Sequence, residues 1–228
     1  MNDKELYDDL KQCALRLGAE LFGVADLSKE KDKIEIDSEV LPDLNRGICL
    51  GVSLNPFIVS AIIELPTRLY SHHYKTTNTF LDILALKVAK YVINKGHRAV
   101  AIPASQILDW KKQTAHLSHK RMGYLAGIGW IGRNNLLVNE RYGCQFRLVT
   151  ILTDMPLAVD KPKDLTCAEC VSCVKVCPAD AIKENCEDFD HISCFEQLKA
   201  FQKKIPANQY ICGICIKACK GNSKRALP

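Results

Sequence analysis

The chain has 228 residues, of which 47% are hydrophobic and 25% are charged, and its formal net charge at pH 7 is +5. The length is enough for one good core with a small appendage or for two modest domains, and no clustered basic run supports nucleic-acid binding. The most apolar stretch, residues 47–65, is broken by Asn55, Pro56 and Glu64, which excludes a membrane span, and residues 1–5 lack the features of a signal peptide, so we expect a cytoplasmic protein.

The first hundred residues alternate between helical and strand patterns. Asn2 and Glu5 are placed as a capping box at the start of the first helix, and Gly96 follows the end of the second. Strands are favoured where apolar residues alternate with smaller ones. The elements predicted here are, in order, a helix over 3–16, strands over 20–26 and 46–54, a helix over 78–94 and a strand over 98–103.

The middle of the chain predicts a third helix and a hairpin. The helix covers 118–126 and stops at Gly127. Two strands, 134–139 and 144–153, are joined by a turn over 139–143. Helices interleaved with a hairpin favour the α+β class with a mixed sheet.

A polar segment that contains a proline, residues 160–164, separates this pattern from a cysteine-rich tail. We therefore predict two domains. Residues 1–160 form the α+β domain, which would hold a cofactor and substrate, and residues 161–228 form the cysteine-rich domain.

Cysteine is the most unusual feature of the composition, with twelve residues. In a cytoplasmic protein, so many cysteines indicate metal or redox chemistry rather than disulfides. Cys13, Cys49 and Cys144 each lie in an apolar segment, and we interpret them as buried thiols.

The remaining cysteines follow the pattern of a two-cluster ferredoxin. Cys167-x2-Cys170-x2-Cys173-x3-Cys177-Pro is the bacterial ferredoxin run, whose first three thiolates bind one cubane cluster and whose fourth serves a second cluster. A second run reads Cys212-x2-Cys215-x3-Cys219. The crossing pattern predicts one set of Cys167, Cys170, Cys173 and Cys219, and another set that contains Cys177, Cys212 and Cys215.

The eighth thiolate must come from Cys186 or Cys194. Cys186 lies in a very polar stretch, whereas Cys194 opens an apolar segment of the kind that shields a cluster from water, so we favour Cys194. Two zinc sites are the alternative. Zinc usually takes two separated pairs of cysteines, which fits the dense first run less well.

Four phrases in a fixed order resemble the epoxyqueuosine reductase family. They are residues 126–134, which read AGIGWIGRN, then Tyr142-Gly143, then residues 152–157, which read LTDMPL, and finally the first cysteine run. Reductive dehalogenases share a looser version of this order. The position of Cys194, eighteen residues before Cys212, matches an isolated cluster ligand of the family.

The resemblance implies a fold and a set of cofactors. It implies a nitroreductase-like mixed-sheet domain that holds a corrinoid, followed by a bacterial-ferredoxin-like domain with two [4Fe–4S] clusters. Electrons from ferredoxin or flavodoxin would reach cobalamin, with flavin less favoured, and reduce a small or nucleoside-like substrate. The alternative is a carrier without catalysis that delivers electrons to the corrinoid or flavin of a partner protein. The absence of the family's helical-repeat extension predicts a short form.

The resemblance and the sequence also suggest candidate site residues other than the cysteines. The family places an acidic proton donor about fourteen residues before its Ala-Gly pair, where this chain has Lys112. Asp109 is the nearest acid, and Tyr70, in a group with His72, His73 and Tyr74, is another weak candidate. The residues that we expect to contact a flat cofactor are His119, Lys120, Trp130, Arg133 and Asn134, although a core tryptophan and solvated charges would give the same pattern.

Overall fold

The computed structural model describes residues 1–36, 39, 43–110, 113–205 and 209–221. Helices and strands alternate in the first part, and the last part contains only helices. The elements are α1 (Asp3–Arg16), β1 (Leu21–Asp26), β2 (Arg46–Ser53), α2 (Pro56–Ser60), α3 (Arg68–Asn94), β3 (Ala99–Ile102), α4 (His119–Leu125), β4 (Trp130–Ile131), β5 (Leu137–Val138), β6 (Phe146–Thr153), α5 (Ser172–Lys175), α6 (His191–Lys204) and α7 (Ile214–Ala218), with short 3-10 helices at Lys31–Lys33 and Cys186–Asp188.

The start of α1 confirms the predicted capping box. The Asn2 side chain accepts the backbone N–H groups of Lys4 and Glu5, and the Glu5 carboxylate accepts the N–H of Asn2 at 2.9 Å. These bonds satisfy donors that have no partner inside the helix. Leu10 and Ala14 on the inner face are fully buried.

Helix α3 begins ten residues earlier than the predicted start at residue 78. The Thr67 side chain accepts the backbone N–H of Tyr70 at 3.0 Å, which is an N-terminal cap. The added turns contain histidines and threonines rather than an apolar stripe, so hydrophobic periodicity does not reveal them.

Four strands form the main sheet in the order β1-β2-β6-β3. Strand β1 pairs antiparallel with β2, with Leu21 opposite Gly51, and β3 pairs antiparallel with β6, with Ala99 opposite Thr153. This mixed α/β architecture agrees with the predicted α+β class.

The predicted hairpin between 134–139 and 144–153 is wrong. Strand β5 pairs instead with β4, with Trp130 opposite Val138, while β6 lies in the main sheet. The reason is the lack of a side chain at Gly129, where a Cβ would lie 1.9 Å from the carbonyl oxygen of Val138. This close approach allows β4 to pair with β5.

The chain divides into two compact units. The first unit consists of Met1–Val52, Asn78–Ile128 and Arg147–Lys163, and the second consists of Ser53–Thr77, Gly129–Phe146 and Asp164–Pro228. The last break lies near the predicted boundary, but two segments from the predicted first domain belong to the second unit. The domain ranges 1–160 and 161–228 stay a prediction.

The first unit is built around one apolar core in which α1 and α3 contribute residues together with β1, β2 and β6. Its fully buried members include Leu10, Val24, Ile48, Val88 and Ile151. Burial of such side chains away from water is the main favourable contribution to folding.

The second unit has two smaller apolar groups. One joins Leu54, Val59, Ile62, Tyr70, Phe201, Ile211 and Ile214. The other joins Trp130, Val138 and Cys144, against which Cys167 and Cys219 pack. No helix in the described ranges has both the length and the apolar character needed to cross a membrane.

Candidate metal centre

The first group of cysteines surrounds α5 in the second unit. Cys173 lies within α5 and is buried. Its pKa is raised to about 11, mainly by burial, and then by the negative charges of its neighbours Cys219, Cys167 and Cys170. These charges place Cys219, Cys167 and Cys170 in the electrostatic surroundings of Cys173, and their assignment to one cluster stays a prediction.

The second group surrounds the start of α7. Burial, followed by the charges of Cys194 and Cys177, raises the pKa of Cys212 to about 11. Burial also raises the pKa of Cys215, with contributions from Cys212, Cys194 and Cys177. Because Cys173 of the first predicted set also contributes at Cys215, these interactions do not divide the cysteines into two sets, and the second set stays a prediction.

The two candidates for the eighth thiolate lie in different surroundings. Cys194 is in the first turn of α6, where its N–H donates to the carbonyl of Asp190 at 3.1 Å. Its pKa is raised by burial and by the charge of Cys177. Cys186, in a 3-10 helix, is exposed to solvent. The choice of Cys194 as a ligand stays a prediction.

The chemistry of these groups suits a soft metal centre. Thiolates are the ligands of iron–sulfur clusters and of zinc. Because burial favours the neutral thiol, metal binding here would release protons. In the described part of the chain, no three or more His, Cys, Asp or Glu side chains are arranged to hold a single metal ion.

Gly213 sets the backbone between Cys212 and Cys215. Its φ is +87°, and a Cβ would lie 2.6 Å from Ile62 Cδ1 and 2.8 Å from Tyr70 Cε1. Glycine is the residue that adopts this conformation without strain. Tyr70, a candidate catalytic residue, is itself buried in the apolar group against which Gly213 packs.

Trp130 is buried in the apolar group that Cys167 and Cys219 contact. Only 2% of its surface is exposed, and its indole N–H has no hydrogen-bond partner within the described residues. A buried N–H without an acceptor is costly, so the site is suited to an additional acceptor. Cluster sulfur atoms are acceptors of this kind.

Arg133 binds the backbone of the first cysteine run. Its guanidinium donates to the carbonyl oxygens of Cys170 at 2.9 Å and Ala168 at 2.7 Å, and also to that of Glu184. Ala168 has a φ of +44°, so these bonds hold a strained loop in place. The structure thus gives Arg133 a role in shaping the cysteine loop, and its predicted contact with a cofactor stays a prediction.

His119 and Lys120 lie at the start of α4 in the first unit. The two ring nitrogens of His119 lie 2.8 Å from the Thr150 hydroxyl and 2.9 Å from the Pro103 carbonyl oxygen, and burial lowers the pKa of His119 to about 4. Burial lowers the pKa of Lys120 to about 8. The imidazole is therefore neutral at pH 7 and bonded within the protein.

The other candidate proton donors and their neighbours lie in varied surroundings. Asp109 forms an isolated bridge with Thr114. Lys112, which occupies the position of the family's acid, lies outside the described residues. His73 accepts the backbone N–H of Asn55 at 2.9 Å, and burial lowers its pKa.

Sequence reasoning missed the surroundings of Cys219. Asn134 was predicted as a cofactor contact, but its amide donates to the sulfur of Cys144 at 3.2 Å. The thiol of Cys144 in turn hydrogen-bonds to Cys219. Cys144 is buried as predicted, as is Cys49, while Cys13 is only partly buried. The adjacent Gly143 and its tight turn were the available signal.

Comparison with known proteins gives a consistent picture. No family model matches the chain. The epoxyqueuosine reductase of Escherichia coli K12 is 26% identical over 79% of this chain and 53% of its own length, and that of Salmonella typhimurium LT2 is 32% identical over 96% of this chain and 65% of its own. The chain thus spans about half the length of several curated relatives that it matches.

Solved structures share the fold at lower identity. A catabolic reductive dehalogenase, NpRdhA, bound to 3-bromo-4-hydroxybenzoic acid superimposes with a TM-score of 0.78 at 17% identity, over 98% of this chain and 32% of that one. The epoxyqueuosine reductase of Streptococcus thermophilus gives a TM-score of 0.62 at 19% identity, over 96% of this chain and 67% of that one. The architecture is therefore the one shared by reductive dehalogenases and epoxyqueuosine reductases.

Within this class, the sequence relatives named above are epoxyqueuosine reductases. The chain is a relative of the epoxyqueuosine reductases. This result confirms the resemblance carried by the glycine-rich phrase and the cysteine run.

Proposed function

We propose that the protein is an iron–sulfur reductase of the epoxyqueuosine reductase type. The observation that carries the proposal is that Cys173 in α5 and Cys215 in α7 lie on two helices that contact each other, in a chain similar in sequence to epoxyqueuosine reductases. Each of the two predicted cysteine sets would bind one [4Fe–4S] cluster in a ferredoxin-like arrangement. The proposed ligands are Cys167, Cys170, Cys173 and Cys219 for the first cluster and Cys177, Cys194, Cys212 and Cys215 for the second.

The surroundings of the cysteines support a cluster that transfers electrons. Ala181 and Ile182, just after the first run, are buried, and so is Ile214 beside Cys215. An apolar shell limits solvent access and helps to set the reduction potential. Cys215 also interacts electrostatically with Cys173, so the two sets are near each other. Two clusters bound by these neighbouring sets would form a path for electrons.

A corrinoid is our proposal for the acceptor of these electrons, with flavin less favoured. One solved structure with this fold is a reductive dehalogenase associated with B12-dependent dehalogenation, and another is an epoxyqueuosine reductase with an epoxyqueuosine-modified tRNA stem loop. Bound cobalamin would supply a reduced cobalt centre. The substrate would be a small or nucleoside-like molecule, and the donor a low-potential ferredoxin or flavodoxin in the cytoplasm.

A carrier without catalysis is the second candidate. Two observations favour it. The chain has Lys112 where the family has an acid, and His119 and Arg133 already bond to groups of the protein. Such a carrier would pass electrons to the corrinoid or flavin of a partner protein.

Anaerobic reconstitution tests the proposal and separates the two candidates. The purified chain would be incubated with iron, sulfide and then cobalamin or flavin, and its spectra recorded after gel filtration. The reductase predicts cobalamin that stays bound at micromolar concentration with shifted visible absorbance. Iron and sulfide without either organic cofactor would support the carrier, and neither iron nor sulfide would contradict both.

A further inference from the structure

The second unit exposes a group of large apolar side chains in α2 and in the segment that follows it. Phe57, Ile63, Leu65 and Leu69 are all open to solvent, and Ile63 and Phe57 are 77% and 68% exposed. Single exposed apolar side chains are common on protein surfaces. A group of them beside charged residues is instead typical of a surface that binds another molecule.

A groove of about 600 Å³ opens among these residues. Its lining contains the buried side chain of Ile205 together with the exposed side chains of Ile63 and Leu65. Arg68 and Lys204 add two cations to the same lining. A concave apolar surface of this kind removes the apolar side chains of a partner from water. The groove and its surroundings form the exposed patch, which consists of Phe57, Ile63, Leu65, Leu69, Arg68 and Lys204.

The groove carries a net positive charge. Among the described residues, its lining includes Arg68 and Lys204 and one acid, Glu64. Lys203, which is also exposed, precedes Lys204 in α6. In the part of the chain that the structure describes, neither Arg68 nor Lys204 takes part in an ion pair, so both charges are available to a partner. Charge complementarity therefore favours a partner surface that carries carboxylates.

The exposed patch is joined to the second cysteine run by packing inside the same unit. Ile62, next to Ile63, is fully buried, and its carbonyl oxygen accepts the Lys217 ammonium at 2.5 Å. A Cβ on Gly213 would lie 2.6 Å from Ile62 Cδ1, and Cys212 packs against the apolar group that contains Ile62. A molecule bound on the exposed patch would therefore lie beside a proposed ligand of the second cluster.

We propose that the exposed patch is the docking surface for an acidic ferredoxin that delivers electrons to the second cluster. This inference rests on the proposed function, because only a chain that holds clusters needs such a donor. In the transfer, one electron leaves the reduced cluster of the ferredoxin and enters the oxidised [4Fe–4S] cluster of this chain. No bond forms or breaks, and no proton is required.

An anionic membrane is the other kind of surface that binds apolar side chains flanked by cations. A bilayer is planar, whereas the exposed patch contains a groove and lies beside the second cysteine run. These two features favour a redox protein over a membrane.

A double charge reversal tests the docking surface. The chain would be reconstituted anaerobically to full iron content, and its affinity for an oxidised, acidic plant-type [2Fe–2S] ferredoxin would be measured by titration calorimetry. We expect Arg68→Glu combined with Lys204→Glu to weaken binding about tenfold at low ionic strength. Added salt should weaken the binding of the wild type much more than that of the variant, because salt screens the attraction that the variant lacks.

The matched control is Lys87→Glu combined with Lys90→Glu. These two exposed lysines lie on α3 in the first unit, so the control changes the net charge by the same amount away from the exposed patch. It should bind ferredoxin as the wild type does. An equal loss of affinity in both double variants would overturn the inference, since net charge alone would then explain the binding.

A kinetic measurement separates docking from damage to the clusters. Reduced ferredoxin should reduce the clusters of the Arg68→Glu, Lys204→Glu variant about tenfold more slowly than those of the wild type, while photoreduced deazaflavin, a small reductant, should reduce both at the same rate. An equal slowing with both reductants would overturn the inference, because the substitutions would then act on the clusters and not on docking.

Ile63→Ser tests the apolar part of the exposed patch without changing charge. Because Ile63 is largely exposed, its replacement leaves the core intact, and we expect a severalfold loss of affinity for ferredoxin at low and at high salt. Full affinity in this variant and in the double charge reversal, at full iron content, would overturn the inference. Wild-type protein that binds vesicles of anionic phospholipid but not ferredoxin would overturn it in favour of a membrane. A wild-type chain that takes up no iron would instead show that the proposed function fails, and the inference with it.

Discussion

Replacing Cys194 with alanine should remove one cluster and leave the other. Cys194 lies in the first turn of α6 and interacts with Cys177, Cys212 and Cys215, but no described interaction joins it to Cys167 or its set. A cluster that loses one of four thiolates keeps an open position and is expected to be lost on purification. Iron should therefore fall from about eight atoms per chain to about four.

The matched control is Cys186→Ala, which removes a nearby but exposed thiol. Both variants would be purified without oxygen, and iron and acid-labile sulfide would be measured per chain beside circular dichroism to check folding. Cys186→Ala should keep all its iron. Iron lost from Cys186→Ala and retained in Cys194→Ala would refute the assignment of the eighth ligand.

Three further changes test the fold. Asn2→Ala should destabilise the first unit by about 1 kcal/mol in a denaturant titration, because it removes the cap of α1, and an unchanged midpoint would contradict the cap. Gly129→Ala should cost about 3 kcal/mol, since its Cβ would overlap the Val138 carbonyl, and normal stability would argue against the β4–β5 ribbon. The bond with Arg121 lowers the pKa of buried Glu30, so this ion pair stabilises the fold above the unfolded pKa of about 4.3 and is lost as pH falls through the lower folded value. Glu30→Gln should thus be less stable than the wild type at pH 7, and the difference should shrink as pH falls below about 4.3 toward the lowered folded pKa, whereas a difference that does not change with pH would refute the pH dependence.

Local signals predicted much of the first unit. The cap at Asn2 and the N-terminal position of Ser118 fix helix starts within one residue, because caps act through bonds between neighbours in sequence. Strands β1 and β2 were predicted within one residue of their observed bounds, although burial is continuous over residues 47–51 of β2 rather than confined to one face.

Local sequence signals did not predict which strands pair. They also did not predict the polar start of α3. The pairing of β4 with β5 depends on a close backbone approach at Gly129, which has no signature in hydrophobic periodicity. Helix α6 was also not predicted, because it lies in the cysteine-rich part of the chain, where spacing was read for metal ligands rather than for a helical pattern. Contacts between residues distant in sequence determine the β4–β5 pairing and the extent of these helices.

The cysteine sets stay a prediction, which the sequence allows because cubane ligation imposes short, repeated spacings. The residues that support the cysteines were not predicted. Arg133 and Asn134 were expected to contact a cofactor, yet they bond to the cysteine loop and to Cys144, respectively. Sequence spacing identifies ligands, whereas the residues that orient them come from distant segments brought together by folding.

Elemental analysis of the wild-type chain, purified without oxygen, tests the central claim most directly. Two [4Fe–4S] clusters predict about eight iron atoms and about eight acid-labile sulfides per chain, with a brown colour that fades on reduction. About two zinc ions per chain, without sulfide or colour, would contradict the account and identify the cysteine sets as structural zinc sites.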